Sequence, residues 1–155
     1  MRELLHKRHY VFLILMAFSL VLSVAWFAVY SSRTTSRVIY FPNSDGLGVS
    51  GEMRKLPMQR TREDNIEMLL SEMVLGPVEI GHKRLFPRSA RIESVLYRQG
   101  ELFIDITPSL VYDTEESGTS VTEILRLVER TVRYNFPEID EIRISLGGYE
   151  LPGSP

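Results

Sequence analysis

Histidine, the side chain most often recruited for chemistry near neutral pH, is scarce in this sequence. Histidine occurs at His6, His9 and His82, and only His82 lies beyond the first thirty residues. A histidine-based zinc site needs two or three such ligands, and cysteine, which would supply thiolates instead, is absent. The same absence removes disulfides, Fe–S clusters, cysteine nucleophiles and the acceptor of a lipoprotein anchor. A Ser-His-Asp triad would have to recruit His82 from the stretch Gly81-His82-Lys83-Arg84, and no Gly-x-Ser-x-Gly elbow presents a serine to it. His82 therefore reads as a solvated loop histidine.

Carboxylates are plentiful, so composition leaves a two-carboxylate hydrolase open. Asp105 stands out, because it interrupts the apolar run Leu102 to Ile106. By alternation it faces away from Leu102, Ile104 and Ile106 and shares a side with Phe103. It reads as an outward aspartate or as a cap of the Thr107-Pro108 turn, with a site residue as the alternative. Asp45, Gly46 and Gly48 lack the D-x-[DN]-x-[DN]-G pattern of a calcium loop and read as a turn. Asp113-Thr114-Glu115-Glu116 reads as a solvated acidic loop, with weak cation binding as the alternative. Lys83, Arg84, Arg88 and Arg91 form a basic cluster that reads as solvated surface or as a face for lipid headgroups or an acidic partner. No catalytic, cofactor-binding or metal-ligating residue is assigned.

The elements that would position these groups follow from periodicity. Arg37–Phe41 is β-branched and aromatic and reads as a strand, with Pro42 to Gly46 as a turn and Val49–Leu56 as a weaker strand stopped by Pro57. Thr61 is the cap of a helix whose buried face is Ile66, Leu69, Leu70 and Met73, ended by Gly76-Pro77. Val78–Ser89 is irregular. Arg91–Arg98 and Glu101–Ile106 form a hairpin about Gln99-Gly100, with Ile92, Leu96, Leu102, Ile104 and Ile106 as its apolar positions. Ser120 and Glu123 make a capping box for a second helix with the stripe Val121, Ile124, Leu125, Val128 and Val132, broken at Phe136-Pro137. Glu141–Leu146 alternates as a last strand, ended by Gly147-Gly148. The order β, β, α, β, β, α, β predicts an α+β fold: a small, mostly antiparallel sheet with two helices on one face.

Of 18 Lys and Arg and 20 Asp and Glu, residues 1–30 hold Arg2, Lys7, Arg8 and Glu3, so the rest is acidic, 15 against 19. An acidic domain without basic runs argues against the phosphate footprint of a nucleic-acid binder, and it does not favour broad adhesion to anionic lipid. Val11 to Val29 is free of charge, and its length of roughly 28 Å matches the hydrocarbon core of a bilayer. Tyr10 and Phe12 border it on one side and Trp26, Phe27 and Tyr30 on the other, as an interfacial belt would. Arg2, Lys7 and Arg8 before it and Arg33 and Arg37 after it favour a cytoplasmic N-terminus. The competing reading is a signal peptide cleaved after Ser23-Val24-Ala25.

The landmarks Tyr40-Phe41-Pro42, Leu75-Gly76-Pro77, Pro87 before the hairpin, Leu102-Phe103-Ile104-Asp105-Ile106, Gly118 and Ile142 to Gly147 resemble, in order and spacing, those of the GerMN domain, the sporulation and spore germination family. The resemblance spans roughly residues 38–148. It implies an envelope module, membrane-anchored or lipid-attached, similar to ring-building folds of spore channel proteins. No catalytic residue is known for the family, so none carries over. This chain departs from the family's named member in presenting a single domain and an apolar helix in place of a lipid.

The expected organisation is a cytoplasmic tail over 1–10, a single transmembrane anchor over 11–30, a linker over 31–36 and a GerMN-like α+β domain over 37–150. The expected location is the cell membrane, single-pass, with the domain extracytoplasmic; a secreted or periplasmic domain after cleavage is the alternative. The expected function is non-catalytic assembly. Its partners are the membrane through residues 11–30 and other envelope proteins or the chain itself, with no nucleic acid and no cofactor. A carboxylate-dependent cell-wall hydrolase is the alternative function. A sensory domain is weakened by a cytoplasmic tail too short for an effector.

Overall fold

The computed structural model describes residues 2–30, 33–113 and 118–150. The chain forms two compact units, one ending at Arg33 and the other starting at Thr34. The first is the helix α1 (Arg2–Tyr30). Its apolar stretch Tyr10–Phe27 is long enough to cross a membrane and is exposed on every side. A helix apolar all round has no polar face to offer water, and this one suits a membrane anchor or a signal segment.

The second unit is α+β. β1 (Thr34–Pro42) and β2 (Val49–Pro57) pair antiparallel, with Ile39 opposite Glu52 and Phe41 opposite Ser50. β1 starts three residues earlier than the β-branched run suggested. α2 (Arg62–Leu75) follows, capped by the Thr61 hydroxyl, which accepts the Asp64 N–H at 3.1 Å. Its buried residues are Ile66, Leu69, Leu70 and Met73, as the 3.6-residue period predicts. Gly76 ends it at φ 94°, ψ 178°. This is a mirror-β conformation, which glycine alone adopts without strain.

β3 (Ile92–Arg98) and β4 (Glu101–Ile106) form the expected hairpin, turning at Gln99 (φ 52°) and Gly100 (φ 91°). Two successive positive φ values give the primed turn that matches strand twist. A bulge between Ile92 and Ser94 shifts the phase of β3. Val95 and Tyr97 consequently pack on the core while Leu96, expected inside, is 48% exposed. α3 (Ser109–Tyr112) is a short turn of helix. α4 (Val121–Asn135) is capped by the Ser120 hydroxyl and buries Ile124, Leu127, Val128, Thr131 and Val132, while Val121 and Leu125 are half-buried. β5 (Glu141–Leu146) then pairs parallel with β4, and β6 (Tyr149–Glu150) folds back on it across Gly147-Gly148, where the sequence suggested an end.

The strands divide into two sheets, β1-β2 and β3-β4-β5-β6, where one was expected. Side chains from α4 explain the division. Val38 donates its N–H to Asn135 Oδ1 at 3.0 Å, Asn135 Nδ2 donates to Val38 O at 2.6 Å, and Tyr40 donates to Thr131 Oγ1 at 3.3 Å. The amide of Asn135 thus imitates a neighbouring strand and closes the outer edge of β1. The core under both sheets is continuous, from Ile39 and Phe41 through α2 and α4 to Ile142 and Ile144. Leu85 and Phe86, in the segment read as irregular, are fully buried in it.

Asn135→Ala leaves both polar groups of Val38 without their partners. It is expected to cost about 2 kcal/mol, read as a lower urea midpoint of the full chain in detergent, while the Thr122→Ala variant on the exposed side of α4 leaves the midpoint in place.

Candidate functional site

Polar chemistry concentrates where the β1–β2 turn meets the segment after α2. β2 alternates, so Ser50, Glu52 and Arg54 point to one side, toward Phe41, α2 and residues 76–82. Glu52 is 2% exposed. Its carboxylate accepts from Arg54 Nε at 2.6 Å, from the backbone N–H of Val78 at 3.0 Å and from that of Glu79 at 3.1 Å. His82 Nδ1 lies 3.4 Å from Glu52 Oε2. Arg54 spreads its other donors to Glu72 Oε2 at 2.8 Å and the Gly76 carbonyl at 2.6 Å. The far ring nitrogen, His82 Nε2, lies 2.7 Å from Ser50 Oγ, which lies 2.5 Å from Asn43 Oδ1. The imidazole stacks on Phe41, with ring centres 6.2 Å apart.

Glu52, His82 and Ser50 therefore stand in the order of a carboxylate–histidine–serine triad, a constellation that sequence spacing did not reveal. The direction of the protons argues against nucleophile activation. Asn43 Nδ2 donates to the Leu47 carbonyl at 3.2 Å, which turns Oδ1, an acceptor only, toward Ser50. The single hydroxyl proton of Ser50 goes to Asn43 Oδ1 and so is not offered to His82 Nε2. A general base would need the reverse. The chain of bonds is a clasp: with Ser44 N–H on Gly81 O at 2.9 Å and Lys83 N–H on Pro42 O at 2.7 Å, it fastens the β1–β2 turn to residues 81–83.

Burial pushes the Glu52 carboxyl up, but the hydrogen bonds from Arg54, Glu79, Val78 and His82 together outweigh it and hold the group below the usual carboxylate range.

The other singled-out residues are dispersed. Asp105 faces outward as alternation requires. Its Oδ1 accepts from Ser145 Oγ at 2.6 Å and from the Gly148 N–H at 2.9 Å, so it fastens the β5–β6 turn and not the Thr107-Pro108 turn. Asp45 Oδ1 accepts the Leu47 N–H at 2.8 Å, an Asx turn. Asp113 accepts from Ser89, and residues 114–116 of the acidic run lie outside the described residues. The basic cluster is broken up: Arg84 binds the Val74 and Leu75 carbonyls at the end of α2, and Lys83 binds the Gly118 carbonyl. His82, read as solvated, has a side chain only 7% exposed. The signal for it was the apolar Leu85-Phe86 close behind, which draws the segment inward.

The profile of the family described as "Sporulation and spore germination" (Germane) matches residues 38–152. The chain belongs to this family. The fold is shared with the tandem GerMN domains of the sporulation protein GerM from Bacillus subtilis, at TM-score 0.58 and 19% identity over 79% of this chain. The chain spans 43% of that tandem structure. Against the first GerMN domain of the same protein the TM-score is 0.57 at 21% identity, covering 79% of this chain and 90% of that one. No curated protein matches.

Because the folded carboxyl of Glu52 titrates below its unfolded value, its contribution to stability is present above about pH 4.3 and is lost as pH falls through the folded value. Glu52→Gln is expected to destabilise by about 3 kcal/mol at pH 7, and the gap to the natural chain should narrow between pH 5 and pH 3 in denaturant titrations. A gap independent of pH would refute the assignment.

Proposed function

We propose that this chain is a membrane-anchored, non-catalytic assembly module of the cell envelope, which docks a protein partner along the outer edge of β2. The observation that carries the reading is that this edge is open. Val38 and Tyr40 direct their N–H groups away from β2 to α4, so Arg37, Ile39 and Phe41 face β2 and pair with Arg54, Glu52 and Ser50. The backbone groups of Gly51, Met53 and Lys55 consequently point outward, and among the described residues they meet no partner. Edges of this kind accept an added strand.

Apolar side chains accompany the edge. Met53 is 70% exposed, and Leu75, Val78 and Ile80 are exposed beside the Glu52 clasp. Gly76 O and the Val78 N–H are tied to Arg54 and Glu52, so this rim is held against β2. Exposed apolar surface next to an unpaired strand favours protein contact over solvent. Lys55 on the same edge limits indiscriminate pairing. The hydrolase reading draws less support, because Glu52 spends both oxygens, and Asp105 its Oδ1, on structural donors. The envelope setting extends what the family resemblance implies, and α1 is long and apolar enough to serve as the anchor this reading needs.

The test places a photoreactive residue at Met53 or Val78 of the full chain in intact membranes. Adducts with a second copy or another envelope protein are expected from both positions and not from Arg126 on α4. Met53→Pro removes an outward N–H that the β1–β2 ladder does not use. It is expected to abolish the adducts formed from Val78 while leaving thermal stability within about 1 kcal/mol. Only monomer from both positions would sink the proposal.

A further inference from the structure

At the opposite end of the hairpin, where β1 begins, lies a depression of about 370 Å³ lined by Arg37, Arg60 and Arg62, with Gln59, Asn135 and Glu138. This is within the size range of small-ligand sites, though its lining is polar. Three guanidinium groups face one carboxylate, so the hollow is cationic in a domain that is otherwise acidic.

Most of the donors there are unused among the described residues. A guanidinium carries five N–H groups. Arg37 donates one bond to the Asn135 carbonyl at 2.6 Å and lies over the Phe136 ring at 4.3 Å, which fixes its plane. Arg62 makes only long contacts, 3.5 Å to Tyr97 Oη and 3.4 Å to Glu138, and lies over the Tyr97 ring at 5.4 Å. Arg60 is exposed and meets no partner among the described residues. Planar forks held in place by aromatic rings, with free N–H groups, suit the oxygens of a phosphate and would bind it in a bidentate manner.

We infer that Arg37, Arg60 and Arg62 form a binding site for a phosphate-bearing anion at the start of β1. A lipid headgroup and a soluble phosphate share this chemistry. Chain connectivity favours the headgroup: Thr35, which also lines the hollow, follows the last residue of α1, Tyr30, by five residues. Five extended residues reach at most about 18 Å. The lipid source rests on α1 acting as an anchor, whereas the phosphate site does not.

Cysteine is absent from the chain, so Met58→Cys gives a unique attachment point for a polarity-sensitive fluorophore on the wall of the hollow. The full chain is held in dodecyl maltoside micelles, which carry no phosphate, and is titrated with phosphatidylglycerol or with inorganic phosphate. A fluorescence change with phosphatidylglycerol and not with inorganic phosphate identifies a headgroup. A change with inorganic phosphate identifies a soluble anion. In either case Arg60→Gln is expected to weaken the response about tenfold and Glu138→Gln to strengthen it, with unchanged circular dichroism. No change in either arm, or a response that the double variant Arg60→Gln, Arg62→Gln leaves intact, overturns the site. Carbonate extraction of the full chain tests the anchor separately, and the Met53 adducts test the assembly reading, so the failure of one is told apart from the failure of another.

Discussion

A carboxylate taken out of water must collect donors, and the burial of Glu52 dictates how one end of this domain is built. Two of its donors are consecutive backbone N–H groups, at Val78 and Glu79, and one is Arg54 of its own strand. Removing any of them leaves a charge with too few partners in a poorly solvated place. The segment after α2 is therefore bound to β2, and the turn before β2 is bound to that segment through Ser50 and His82. Side chains that cannot join this polar clasp, Val78 and Ile80, are left facing outward.

Much of the fold was legible in the sequence because its helices obey simple rules. Thr61 and Ser120 cap where expected, and the period of Ile66, Leu69, Leu70 and Met73 names a buried face without help from tertiary structure. The hairpin turn at Gln99-Gly100 and the alternation of Leu102, Ile104 and Ile106 were equally local. What escaped depends on residues far apart. The phase slip in β3 comes from a bulge that no residue type announces, and it exchanged Leu96 for Val95 and Tyr97. The splitting of the sheet depends on Asn135, a polar residue at a helix end that ordinarily reads as a cap. The clasp joins Asn43, Ser50, Glu52 and His82 across a helix, so no spacing rule could gather them, and a lone histidine among basic residues gave no hint of burial.

Placing these features along one hairpin gives the domain two unlike ends. β1 has nine residues and extends roughly 30 Å. At its far end are the clasp and the apolar rim, rigid through hydrogen bonds to main chain. At its near end the guanidinium groups of Arg37, Arg60 and Arg62 line the hollow. α4 serves both, since Asn135 closes the strand edge with its amide and accepts from Arg37 with its carbonyl.

The parallel pairing of β4 with β5 bears on how the domain is made. Leu102 meets Ile142 and Ile104 meets Ile144, and everything from α3 to the end of α4 intervenes. The two hairpins can form as soon as they leave the ribosome, but the middle of the larger sheet cannot set until Leu146 has emerged. At ordinary elongation rates the forty or so residues after Ile106 take about 2–8 s to synthesise. During that interval the outer margins of both β1 and β4 stand uncovered, since Asn135 and β5 are still to come. The nascent chain is at its most adhesive then, and a stall between these strands would leave a species prone to pair with its neighbours.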